Sequence, residues 1–276
     1  MHSQRNQRHF VVAELAPTIA ALLADIERRA RPDALLASNT SSLRIADIAA
    51  ALADPARLVG VHFFNPVAMM PLVEVVRTAA TGDEAFRQAA AFVRKLDKLP
   101  LPVQEAPGFL VNAVLGPYMY EALRCVDEGI APEAIDAALT AFGMPMGPIE
   151  LVDTVGLDIA VAAGKALAGA DAVLPRALAD KVAAGQLGKK SGQGFYAWPG
   201  GKVSRPAAGA IPDGLAARIV APLLAASQAS RSTATAPSGV RKDWAAGTAI
   251  PRTYTRWVGH RMSTRRMRSR RWVSSA

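Results

Sequence analysis

Residues 57–78 read RLVGVHFFNPVAMMPLVEVVRT, and the parsing of this stretch settles the fold class. Two β runs rich in Val, Leu and Phe, at 58–64 and 72–76, are separated by the Asn65-Pro66 break and only a few further residues. Working upstream, a helix is predicted over 44–52, and before it a short buried strand at 34–37 ends in SNTSSL. Earlier still a helix follows Pro17, with Ile19, Leu22, Leu23 and Ile26 recurring at i, i+3, i+4 and i+7. Downstream, Thr81 and Glu84 spell a T-x-x-E capping box ahead of a helix that aligns Phe86, Ala89, Ala90 and Val93 on one face. A strand at 99–103 closes this half. Helices alternating with short β runs predict an α/β layer, mostly parallel.

Past Pro107-Gly108 the texture is helical only. One long helix is predicted at 110–128, with shorter ones at 132–142, 148–154, 157–168 and 178–184, set off by Gly and Pro. The bulk properties exclude several classes. No run of about 20 apolar residues is present to span a membrane, and the opening MHSQRNQRH is not followed by the apolar core of a signal peptide. The single cysteine, Cys125, has no internal disulfide partner, and no Cys/His cluster suggests a metal. A cytoplasmic setting is the expectation. The net charge of +9 is concentrated in residues 227–276, which hold eleven Lys or Arg against one acid, Asp243, so the preceding 226 residues are close to neutral. Trp244, Tyr254, Trp257 and Trp272 lie among those arginines, but the pattern fits no folded nucleic-acid-binding motif, and nucleic acid is not the expected partner.

Of the four histidines, only His62 lies inside a well-patterned element. A histidine in a half-buried strand is often structural. Glu74, however, interrupts Leu72, Val73, Val75 and Val76, and a carboxylate among such residues needs a partner or solvent. If the two strands pair or lie side by side, His62 and Glu74 can meet. A carboxylate on one imidazole nitrogen fixes the tautomer and leaves the other nitrogen free to take a proton. Ser41 and Ser42 can equally be read as caps of the following helix, and Asn112 as a plain residue of a helix start. The glycines of GKKSGQGF precede no helix, so they read as a turn and not as a phosphate loop.

Five segments in order resemble the 3-hydroxyacyl-CoA dehydrogenase family, most of all its form within multifunctional fatty-acid oxidation proteins. They are LLASNTSSLRIADIA, RLVGVHFFNPVAMMPLVEVVRT, APGFLVNAVLGPYMYEALR, PMGPIELVDTVGLDIA and GKKSGQGFYAW, and the likeness runs from about Ala21 to Lys202. The resemblance implies oxidation of L-3-hydroxyacyl-CoA to 3-ketoacyl-CoA, with NAD as hydride acceptor and an acyl-CoA substrate. It makes His62 the general base and Glu74 its orienting carboxylate. Ser41 and Asn112 become substrate contacts at the 3-oxygen, and Asn65 a residue at the nicotinamide end of the cofactor. The related 3-hydroxyacid dehydrogenases rest on a catalytic lysine, and the HFFNP–PLVEV spacing favours the acyl-CoA family.

The family's opening strand and G-x-G-x-x-G turn have no counterpart in this sequence. The expected fold is therefore a partial Rossmann-like α/β unit, an incomplete dinucleotide-binding sheet, followed by an all-α C-terminal domain. The expected divisions are 1–105, 106–226 and a disordered basic tail at 227–276. An incomplete sheet predicts an apolar edge covered by a homodimer or another chain. The competing reading is an inactive remnant, or a dimerisation or interaction module, that does not bind NAD.

Overall fold

The computed structural model describes residues 12–41, 43–169 and 171–233. The tail aromatics at 244, 254, 257 and 272 lie outside the described residues, as does Ser42. Four strands form one sheet in the order β1 (Leu36–Ser38), β2 (Leu58–Phe63), β3 (Leu72–Arg77) and β4 (Leu99–Gln104). β1 runs parallel to β2 and β3 parallel to β4, but β2 and β3 are antiparallel. The sheet is thus mixed, where the alternating pattern predicts a mostly parallel one. The reason lies in the eight residues 64–71, which join β2 to β3. They are too few for a parallel crossover, which needs a dozen or more.

Side chains alternate across the sheet, and each face has its own cover. Val59, Val61, Val73 and Val75 pack with Phe86, Ala89 and Val93 of α3 (Asp83–Lys95). The opposite face, with Leu58 and Val76, packs with Leu23 of α1 (Val12–Arg29), with Ile45 and Ile48 of α2 (Ile45–Ala49), and with Phe109. Burying each of these aliphatic side chains contributes on the order of 1.5–3 kcal/mol. α1 leaves Leu22 and Ile26 exposed, at 53% and 41%, although both belong to its apolar stripe.

Besides shifts in the ends of elements such as β1, α2 and the helix Arg176–Ala183, a helix start and a capping box differ from the sequence reading. α1 begins at Val12 and carries Pro17 within it, whereas the sequence pattern opens the helix after Pro17. An internal proline removes one hydrogen bond without forbidding the turn upstream of it. The T-x-x-E capping box at Thr81 and Glu84 does not form. Gly82 is the N-cap of α3, and the Thr81 hydroxyl donates to the Leu58 carbonyl at 2.9 Å and accepts from the Thr78 amide. Thr81 therefore ties the start of β2 to the end of β3, and Glu84 pairs with Arg87 instead.

The helical part comprises α4 (Val111–Asp127), α5 (Pro132–Phe142), α6 (Pro148–Val155), α7 (Leu157–Ala168), α8 (Arg176–Ala183) and α9 (Leu215–Thr233). Its core gathers Tyr118, Leu123, Ile135, Leu139, Ile149, Leu157 and Ile219. α9 continues the helix past residue 226, where the sequence loses its periodicity. Arg218 of α9 locks onto α4 by ion pairs to Glu121 at 2.7 Å and Glu128 at 2.6 Å. Cys125 is buried in this core, and burial pushes its thiol up from the ordinary range. Among the described residues, no helix is long and apolar enough to cross a membrane.

Candidate active site

The antiparallel register sets His62 of β2 directly opposite Glu74 of β3. Residues directly opposite in such a pair share one face of the sheet, so the side chains meet without further arrangement. A slip of one residue would turn either of them to the α3 face. His62 Nδ1 lies 2.7 Å from Glu74 Oε2, and both residues are buried, Glu74 completely. The second carboxylate oxygen, Oε1, accepts the backbone amides of Leu110 at 3.0 Å and Val111 at 2.8 Å. Glu74 thus caps α4 from the neighbouring sheet, where the positive end of the helix favours a negative charge. This satisfies a carboxylate that would otherwise be costly to bury. The imidazole is flanked by two rings edge-on, Phe64 at 4.7 Å and Phe109 at 5.5 Å between centroids. Its Nε2 has no hydrogen-bond partner among the described residues.

The other three residues singled out in the sequence lie outside the two paired strands. Asn112 directly follows Val111, one of the two residues bound by Glu74. It also lines an open apolar hollow of about 850 Å³, whose walls include Leu115, Met119, Leu151, Leu167 and Leu174. Ser41 stands exposed in the loop after β1. That loop is held beside the dyad by Asn39, whose side-chain oxygen accepts the amide of Phe63, the residue after His62, at 2.9 Å. Ser41 does not cap α2. The first-turn amide of Ala46 is instead bonded at 3.0 Å by Glu105, and Thr40 accepts the amide of Leu43. Asn65 is exposed three residues beyond His62, at a cis peptide bond to Pro66. No side-chain hydrogen bond engages Ser41, Asn65 or Asn112 within the described structure, and none of the three touches the dyad through one.

Several residues that position the site carry no signal strong enough to be read in the sequence. Lys98 clasps the loop between β2 and β3, donating to the carbonyls of Val67 at 2.6 Å and Met70 at 2.8 Å. Phe64 and Phe109 are generic aromatics until the fold sets them against His62. The Leu110 and Val111 amides are invisible to any side-chain motif. The Pro107-Gly108 break marks a helix start there, but not what that start binds.

The glycine turn at 188–194 belongs to a different construction. Asp153 of α6, fully buried, accepts the amides of Phe195 and Tyr196 and the indole N–H of Trp198, at 2.8–2.9 Å. A Cβ on Gly194 would overlap Asp153 Oδ1, so the glycine is required by close approach to a carboxylate. Asp136 of α5 accepts the Tyr196 hydroxyl and the first-turn amides of α6 at Ile149 and Glu150. Burial pushes the Asp136 carboxyl above the ordinary aspartate range, against the pull of those three hydrogen bonds. The turn therefore serves the helical core. It offers no amides to a pyrophosphate, and the described residues place no other glycine-rich turn at a helix start. Among the described residues there is no cradle for the phosphates of a dinucleotide.

Both parts of the chain match known proteins. Residues 11–106 match the family model described as 3-hydroxyacyl-CoA dehydrogenase, NAD binding domain, and residues 108–198 match 3-hydroxyacyl-CoA dehydrogenase, C-terminal domain. The fatty acid oxidation complex subunit alpha of Vibrio cholerae is 42% identical over 189 residues, 66% of this chain and 26% of that protein. The chain thus spans about a quarter of the length of the curated relatives it matches. Among solved structures, FadB2 of M. tuberculosis is 41% identical, covering 67% of each chain with a TM-score of 0.64. The 3-hydroxybutyryl-CoA dehydrogenase of Escherichia coli is 38% identical, covering 72% of this chain and 44% of that one, also with a TM-score of 0.64. Two adjoining models that together match most of the described residues, with relatives at this identity, leave one assignment: the chain belongs to the 3-hydroxyacyl-CoA dehydrogenase family.

Proposed function

We propose that this chain carries the reacting end of an L-3-hydroxyacyl-CoA dehydrogenase site, acting in fatty-acid oxidation. The supporting observation is the buried 2.7 Å contact between His62 and Glu74, with the second oxygen of Glu74 held by the start of α4. A carboxylate can only accept, so Nδ1–H donates to it and the neutral ring keeps its lone pair on Nε2. That nitrogen takes the proton of the substrate's 3-hydroxyl as the C3 hydrogen departs as hydride. Glu74 stabilises the imidazolium that results. Ser41 and Asn112 donate hydrogen bonds to the 3-oxygen as it becomes a carbonyl, and Asn65 stands at the nicotinamide end. NAD, when bound, supplies the hydride acceptor.

The test is calorimetric titration of the full chain with acetoacetyl-CoA and then NADH. Binding of both, with NADH consumed, is the expected result. Binding of neither would overturn the reading in favour of a non-catalytic module. Acyl-CoA binding alone would keep the substrate site and remove the cofactor from the proposal. The proposal extends to a cytoplasmic setting and to a homodimer, or another chain, covering the apolar edge of the incomplete sheet. Sedimentation of a concentration series should give twice the chain mass, and a monomer throughout would remove the partner.

A further inference from the structure

The backbone is strained at the point where the helical part touches the dyad. Gly108 and Phe109 both have positive φ, 72° and 53°. Glycine adopts this region freely, whereas a residue with a β-carbon does so only at a steric cost. Phe109 is 5% exposed, so the strained residue is not a surface turn that could relax. Its conformation directs two sets of contacts at the dyad. The next two amides, Leu110 and Val111, both reach Glu74 Oε1, at 3.0 and 2.8 Å. The Phe109 ring meets the imidazole of His62 edge-on at 5.5 Å. A Cβ on Gly108 would overlap Leu167 Cδ2 of α7, so the turn packs closely against the helical part.

We propose that Phe109 is a positioning residue. Its left-handed backbone aims the first two amides of α4 at Glu74 and its ring backs His62, so the dyad is assembled only while the start of α4 is docked on it. One side chain of the sheet, Glu74, then reports whether the helical part is in place, because the same carboxylate holds both. Without the turn, Oε1 would be a buried acceptor without donors, and Glu74 would leave His62 to find them. This role rests on the dyad being the reactive pair of the proposed function. Its test reads the dyad directly and needs neither cofactor nor turnover, so failure to bind NADH or acyl-CoA leaves the test intact.

The measurement is proton NMR and amide hydrogen exchange on the isotopically labelled full chain. In the native protein the Nδ1 proton of His62, shared with a carboxylate and shielded from water, is expected to give a far-downfield resonance. The amides of Leu110 and Val111 are expected to exchange at least about tenfold more slowly than those of Asp83 and Glu84 in the first turn of α3, which no side chain caps. Phe109→Ala should abolish the resonance and speed both amides by about tenfold or more, while circular dichroism shows the helices intact. Phe109→Tyr should restore both signals. A folded Phe109→Ala protein that retains the resonance and the slow amides would overturn the proposal. Should that variant fail to fold, Phe109→Leu, which keeps the apolar volume and removes the ring, decides. The same two amides must then exchange about tenfold faster with other helices unchanged, and unaltered exchange there would equally overturn it.

Discussion

His62→Gln is expected to lower the turnover of acetoacetyl-CoA reduction by about a hundredfold to ten-thousandfold, with the KM for the acyl-CoA changed by no more than a few fold. The range is that of a well-placed general acid–base, about 3–5 kcal/mol in the barrier. The asymmetry between turnover and KM arises from where the residue acts. His62 exchanges a proton with the 3-oxygen only as the C–H bond forms or breaks, so its loss falls on the transition state. The groups proposed to hold the ground state, Ser41 and Asn112, are on other elements and are untouched by the change. Glutamine preserves a donor toward Glu74, so the buried carboxylate keeps a partner and the fold is retained. Steady-state kinetics on the variant, with circular dichroism as the fold control, makes the comparison. Turnover above about a tenth of the native value would remove His62 from proton transfer and leave it a structural histidine.

Asp153→Ala is expected to be the most damaging single change to stability, about 3–5 kcal/mol, a large part of what a domain of ordinary stability possesses. Three donors converge on this one carboxylate: the amides of Phe195 and Tyr196 and the indole N–H of Trp198. All are brought there by the one turn, and a β-carbon on Gly188 or Gly194 would overlap Asp153. Truncation leaves each donor without a partner, at about 1–3 kcal/mol for a buried one. Asp136 retains the Tyr196 hydroxyl, so the loss is partial and the segment does not detach outright. Urea unfolding followed by circular dichroism measures it. A loss below about 1 kcal/mol would show that the turn is held by packing of Tyr196 and Trp198 and that the carboxylate is incidental.

The residues behind these two expectations are unequally legible. His62 stands out as the one histidine of four inside a patterned element and Glu74 because it interrupts an apolar strand, and the short connection between the strands allows them to meet. Asp153 lies in a segment that matches the family but carries no local sign of its role. The extent of most elements is likewise readable: the ranges predicted for α5 and α7 agree with the structure residue for residue, since proline opens the first and the second lies between glycines. Such punctuation acts locally, through φ restriction and the missing N–H of proline, and needs no knowledge of the rest of the chain.

Capping is not readable, and the reason is physical. None of the N-caps of α2 to α8 uses its own side chain. Four of these helices are instead capped by carboxylates from elsewhere: Glu105 on α2, Glu74 on α4, Asp136 on α6 and Asp127 on α8. The separations range from 13 residues for Asp136 and Ile149 to 59 for Glu105 and Ala46. A local capping box such as Thr81 and Glu84 is then overruled, because the hydroxyl of Thr81 finds the Leu58 carbonyl once β2 and β3 pair. Periodicity, proline and glycine placed the elements, since those signals depend only on neighbours in the chain. Which acid holds which helix start, the antiparallel sense of β2 and β3, and the docking of Phe109 on His62 depend on groups brought together from far apart, and only the folded arrangement decides them.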